Sequence, residues 1–125
     1  MNAGGYLDNI ELFDAAFFGL NPAEATARDP QQRLLLECAW EAMESAGYVP
    51  RGQRIGVFAG AGESHYRDLL RNDNSLARTL GELQVTIATG KDHIAPRLSY
   101  LLDLRGPSVP VNTACSTSLV AVHMA

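Results

Sequence analysis

The chain has 125 residues, enough for one domain's core, and its 46% apolar and 19% charged content is that of an ordinary folded protein rather than a disordered one. Ten Lys and Arg are scattered along it and the net charge is −4, so no basic patch exists to neutralise phosphates, and nucleic acid is excluded as a partner. Apolar runs are broken by Arg, Asp or Glu well short of the ~20 residues a spanning helix needs, and residues 1–5 carry no leader pattern, so no membrane segment is expected and the cytoplasm is the expected compartment.

Residues 6–18 place Leu7, Ile10, Leu12, Phe13, Phe17 and Phe18 without a clean period, which predicts an irregular segment lying on a core. Asn21-Pro22-Ala23-Glu24 and Asp29-Pro30-Gln31-Gln32 each offer a capping side chain, Pro at the first helical position and Glu or Gln at the third. Two helices should start there. The second is expected to run to about Ala46, with Leu35, Cys38, Ala39, Ala42 and Met43 on one face, broadened by Leu34, Leu36 and Trp40, and Gly47 as its stop.

Residues 54–60, Arg-Ile-Gly-Val-Phe-Ala-Gly, read as a short buried strand of the parallel kind. The glycines around Ala61 do not make a phosphate loop, since no Gly-Lys-Ser/Thr follows and Glu63 adds negative charge. Residues 65–70 and 75–80 read as helical pieces of a surface excursion about a polar turn at 71–74. A helix is predicted over 92–102 with Pro96 near its first turn, then a stop at Gly106-Pro107. Residues 108–114 read as an apolar strand and 116–125 as an apolar helix, so the chain is of the α/β class.

The two cysteines share no Cys-x-x-Cys or Cys/His spacing, which argues against both a disulfide and a metal site. Cys38 falls inside a helical stripe and is expected in the core as a small hydrophobe. Cys115 falls where a strand meets a helix. There the macrodipole and unpaired N–H groups favour a thiolate and can hold an oxyanion. Local pattern alone leaves both a nucleophile and a structural thiol open.

The surrounding residues decide between them. Leu104-Arg105-Gly106-Pro107-Ser108 and Asn112-Thr113-Ala114-Cys115-Ser116-Thr117-Ser118-Leu119-Val120-Ala121 closely resemble the active-site motif of β-ketoacyl synthases (ketosynthases). Three further stretches resemble signatures of the same family in the same order: residues 13–19, residues 29–37 and Gly56-Val57-Phe58-Ala59-Gly60. Residues 89–93 and 97–100 are most similar to the modular, polyketide-type enzymes. The resemblance implies a thiolase-like layered α/β/α/β/α fold. Of that fold residues 1–125 would be the part around the nucleophile, the N-terminal half of the domain truncated at both ends, without the first strand and everything after the active-site helix. Asn112 is a departure, since many members carry Asp there.

The resemblance further implies that Cys115 accepts an acyl group delivered on the phosphopantetheine arm of an acyl carrier protein, and that the enzyme is a homodimer. A malonyl-type thioester then condenses with that acyl group by decarboxylative Claisen chemistry in polyketide or fatty-acid biosynthesis. No cofactor or metal is implied for the segment itself. The family's two catalytic histidines are not matched by His65, His93 or His123; the last lies about 12 Å of helical rise beyond Cys115. An inactive or scaffolding relative is disfavoured by the retained Cys115. A cysteine hydrolase is disfavoured because no glycine flanks Thr113-Ala114-Cys115-Ser116-Thr117.

Overall fold

The computed structural model describes residues 4–49, 51–72 and 74–125. The irregular start, residues 6–18, is pinned by an aromatic chain. Phe13 stacks on Phe18 at 5.2 Å, Phe18 meets Phe17 edge-on at 5.0 Å, and Phe17 meets Trp40 edge-on at 4.7 Å. Tyr6, Leu7 and Leu12 nevertheless remain exposed.

Helix α1, Pro22–Ala27, has the full capping box: Asn21 Oδ1 accepts from the Glu24 N–H at 2.9 Å, and Glu24 Oε2 accepts from the Asn21 N–H at 3.3 Å. Helix α2, Pro30–Ser45, is capped differently from the sequence expectation. Asp29 accepts from the Gln31 N–H at 2.8 Å, and Gln32, expected to close a second box, is buried and points elsewhere. The packed stripe of α2 is Leu36, Ala39, Trp40 and Met43, joined by Leu35. Cys38 sits about 200° round the helix from Leu36. It is exposed, as is Ala42, and the expectation of a core cysteine is corrected.

Strands β1, Val57–Ala59, and β2, Ser108–Pro110, pair in parallel, with Val57 opposite Ser108 and Ala59 opposite Pro110. Both are shorter than their apolar runs, although single bonds from the Gly106 and Val111 N–H groups to the Ile55 and Ala59 carbonyls extend the contact beyond each end. Gly106 is required upstream. A Cβ there would lie 2.4 Å from the Ile55 carbonyl carbon and 2.5 Å from the Gly56 nitrogen.

Helices α3, Tyr66–Asn72, and α4, Asn74–Leu80, form where the sequence suggested, but they take in Arg71, Asn72 and Asn74 of the turn expected at 71–74; Asp73 lies outside the described residues. They are more than a surface excursion, because Leu70, Tyr66, Leu76 and Leu80 pack with Ala27, Val85 and Ala88 in one apolar cluster. The last two come from α5, Glu82–Thr89, a helix with no clear sequence signal. Its β-branched Val85, Thr86, Ile87 and Thr89 are weak helix formers. Burial of Val85 and Ala88 overrides that, and the hydroxyls of Thr86 and Thr89 fold back onto the carbonyls of Glu82 and Val85 at 2.9 and 2.7 Å.

A 3-10 turn, Lys91–His93, leads into α6, Ile94–Leu101, whose first turn accommodates Pro96 as predicted. Leu98 and Leu102, with Leu36 and Leu104, centre the second apolar cluster, where α6 packs against α2 and both strands. The last element is α7, Thr117–Met124, in contact with β1. Among the described residues no helix is long and apolar enough to cross a membrane.

Gln32 ties these parts together. Its Nε2 donates to the carbonyls of Ile87 at 3.2 Å and Gly90 at 3.3 Å, and its Oε1 accepts from Arg28 Nη1 at 3.1 Å. Arg28 is buried, and desolvation together with the nearby Arg97 lowers its guanidinium pKa to about 10, so it stays charged at neutral pH. Gln32→Leu keeps the volume but strands two carbonyls and part of a charged group. It is expected to cost about 2–3 kcal/mol of stability, read as a lower urea midpoint with unchanged slope.

Candidate active site

Because β1 and β2 are parallel, their C-terminal ends open on the same edge, the edge where α/β sheets bind ligands. The chain leaving β1 runs through Gly60, Ala61, Gly62 and Glu63; the chain leaving β2 runs through Val111, Asn112 and Thr113 into a 3-10 turn, Ala114–Ser116, and then α7. Between these loops and the Lys91 turn lies an open cleft of about 580 Å³, lined by Gly60 to Glu63, Lys91, Asn112, Ala114, Thr117 and Ser118. Cys115 sits in the 3-10 turn between two of those lining residues and is exposed.

Two features place the cysteine. The first is the closeness of β1 to the start of α7. A Cβ on Gly60 would come within 2.0 Å of the Val111 carbonyl oxygen and 2.5 Å of Thr117 Cγ2, so only glycine lets the strand end reach the turn that carries Cys115. The Val111 N–H, donating to the Ala59 carbonyl at 2.9 Å, carries the parallel ladder up to this point.

The second is a sharp elbow. Ala114 adopts φ +51°, a left-handed conformation that costs an alanine about 1–2 kcal/mol. Hydroxyls hold it there. Thr117 Oγ1 accepts from the Thr113 N–H at 3.0 Å and donates to the Ala114 carbonyl at 2.9 Å, and Ser116 Oγ donates to the Thr113 carbonyl at 2.8 Å. The run Thr-Ala-Cys-Ser-Thr therefore encodes the turn itself, with Cys115 presented at the N-terminal end of an eight-residue helix.

The walls are anchored from α2 and the Lys91 turn. Gln31 treats Gly62 as a strand would treat a neighbour, accepting from its N–H at 3.1 Å and donating to its carbonyl at 3.3 Å. Glu63 forms an ion pair with Lys91 across the cleft mouth, and that hydrogen bond and charge hold the Lys91 ammonium above its ordinary pKa range. Asn112 Nδ2 donates to Asp92 Oδ1 at 3.1 Å. None of these anchoring roles was read from the sequence. Three polar pairs drawn from four separate stretches give no local pattern, and the glutamines after Asp29-Pro30 read as part of an ordinary helix start.

Of the histidines, His65 is exposed within 3.5 Å of Asp68, His93 lies in the 3-10 turn half-buried, and His123 is exposed on α7. The structure does not bring them together around Cys115.

The sequence matches the family model described as "Beta-ketoacyl synthase, N-terminal domain" over residues 1–125. It is 52% identical to the pikromycin polyketide synthase component PikAII of Streptomyces venezuelae, over 98% of this chain and 3% of that protein. It is 46% identical to the polyketide synthase PksN of Bacillus subtilis, over 98% of this chain and 2% of that protein. Among solved structures it superposes on ketosynthase twelve of the bacillaene polyketide synthase from Bacillus amyloliquefaciens with a TM-score of 0.82 and 34% identity, covering 95% of this chain and 21% of that one. The ketosynthase from module 6 of the bacillaene synthase of Bacillus subtilis gives a TM-score of 0.72 and 37% identity, covering 96% and 19%. The chain thus spans about a fifth of these solved ketosynthases and a few hundredths of the curated relatives, and the thiolase-like fold expected from its motifs is the fold it shares with them. It belongs to the β-ketoacyl synthase family, in the form found in modular polyketide synthases.

Proposed function

We propose that residues 1–125 are the nucleophile-bearing part of a ketosynthase domain, and that Cys115 is its acyl acceptor. The observation that carries this is the exposure of Cys115 on the strained turn beside the cleft, at the start of α7. A cleft of this size accommodates an extended thioester arm.

The chemistry follows from the position. The Cys115 sulfur, as thiolate, attacks the carbonyl carbon of an acyl thioester carried on the phosphopantetheine arm of an acyl carrier protein. The resulting oxyanion is held by backbone N–H groups at the turn, and the carrier thiol leaves with the acyl group now on sulfur. Loss of carbon dioxide from a malonyl-type thioester then yields an enolate that attacks the acyl-cysteine carbonyl. The new carbon–carbon bond forms as the carbon–sulfur bond breaks, returning the thiolate. Imidazoles able to steady the enolate are not among His65, His93 and His123, so residues 1–125 by themselves are expected to yield no condensation product. The working enzyme is read as a homodimeric, cytoplasmic acyltransferase of polyketide synthesis.

The test is acyl loading in a full-length ketosynthase carrying these residues. Incubation with an acyl-carrier thioester is expected to leave the acyl group on the peptide containing Cys115, and malonyl-carrier thioester should discharge it as a β-ketoacyl product. An unmodified Cys115 peptide after incubation, or β-ketoacyl product from the isolated 125-residue chain, would sink the reading.

A further inference from the structure

The hydroxyl bonds among Thr113, Ser116 and Thr117 fix the shape of the nucleophile turn but all lie within it. What fixes its place must come from outside. One such tether is the ladder contact from Val111 to Ala59; another is the Asn112 side chain, which crosses to Asp92 on the Lys91 turn. Asn112 enters the turn two residues before the strained Ala114, so a shift at Asn112 passes directly into the peptide that carries Cys115. It also lines the same cleft as Lys91, so the bond joins two walls of the site.

We propose that the Asn112–Asp92 hydrogen bond is a positioning clasp for Cys115, and that Asp92 is the reason position 112 holds an amide rather than a carboxylate. The inference rests on reading Cys115 as the acyl acceptor. An ionised Asp92 can only accept, and the Asn112 amide supplies the donor. A carboxylate at 112 would set two acceptors of like charge at hydrogen-bond distance, and they would repel unless one kept its proton. The neighbouring charges offset this only in part: Lys91 attracts Asp92 but is engaged first by Glu63, His93 is the next residue of the turn, and the Cys115 sulfur adds a further negative group when ionised. Asn112 is a positioning residue, since it acts through the turn and not on the substrate.

The test is single-turnover loading of Cys115 from an acyl-pantetheine thioester in the full-length ketosynthase carrying these residues, comparing wild type, Asn112→Asp, Asp92→Asn and the exchanged pair Asp92→Asn with Asn112→Asp. At about pH 8, Asn112→Asp is expected to load roughly three- to fivefold more slowly, the range for an exposed charge pair. Its rate relative to wild type should climb as pH falls, because one carboxylate of the pair then takes a proton and donates to the other. Asp92→Asn alone should load close to the wild-type rate, because an amide can still accept from Asn112. The exchanged pair, with the donor now on residue 92, should recover most of the loss.

An Asn112→Asp protein that loads at the wild-type rate at about pH 8 overturns the clasp, as does a deficit that neither acid nor the exchanged pair relieves. Should Asn112→Asp not fold, the exchanged pair decides: folding with near wild-type loading supports the clasp, and failure overturns it. Wild-type protein that takes no acyl group on Cys115 removes the functional reading and the clasp together, whereas loaded wild type with an indifferent Asn112→Asp removes the clasp alone.

Discussion

Cys115→Ala is expected to abolish acyl loading in a full-length ketosynthase carrying these residues, a loss of at least about 10³-fold, while Cys38→Ala leaves loading intact. Access does not separate the two thiols, because both are exposed. Position does. Cys38 lies in the middle of the sixteen-residue α2, where every neighbouring N–H is committed to a helical bond and no oxyanion can be held. Cys115 lies in the turn just before α7, beside the positive end of that helix, where first-turn N–H groups have no intrahelical partner. A small alkylating reagent such as iodoacetamide is therefore expected to label both, and a thioester only Cys115. Intact-protein and peptide mass spectrometry read both results. Acyl group on Cys38, or loading that survives Cys115→Ala, would remove the nucleophile assignment.

Gly60→Ala should be the most damaging single change away from the cysteine. The added carbon would stand 2.0 Å from the Val111 carbonyl oxygen and 2.5 Å from Thr117 Cγ2, and the first of these is backbone, so no rotamer change can relieve it. Either β1 withdraws from β2 or the Val111–Thr117 segment moves outward. Overpacking of this kind costs about 1–3 kcal/mol. A displacement near 1 Å at a reacting group costs about 10²-fold in rate. The variant should thus melt earlier, and the fraction that remains folded should load acyl groups about 10²-fold more slowly than wild type. Wild-type loading together with an unchanged melting temperature would show that the contact between β1 and the nucleophile turn is not what positions Cys115.

These predictions draw on what was legible from residues and on what was not. The cap of α1, the first-turn Pro96, the parallel nature of the first strand and the junction at Cys115 all follow from short-range chemistry, whereas α6 ends at Leu101, ahead of the expected stop at Gly106-Pro107. A carboxylate or amide reaching its own helix, a ring that fixes φ, and a short apolar run act within a few positions of one another. The family motif is legible for the same reason, being a continuous run whose hydroxyls close the turn on themselves. Asn112 stood out only as a departure, with no reason attached.

The remaining features depend on partners far away in the chain. Cys38 was expected inside because the helical stripe was phased on Leu35 and Ala42, whereas the cluster with Leu98, Leu102 and Leu104 selects the stripe through Leu36, Ala39, Trp40 and Met43. Periodicity gives the width of an apolar face, and only the neighbour decides its phase. Helix α5 exists because burial of Val85 and Ala88 outweighs weak propensity. The two glutamines after Asp29-Pro30 hold Gly62, Ile87 and Gly90, and Asn112 holds Asp92, because the fold brings together polar groups 20 to 58 residues apart. The sequence by itself determined the turn that presents Cys115, since its hydroxyl bonds are local. Tertiary structure alone decided the cleft around that residue, since its walls are joined by contacts whose partners share no stretch of chain.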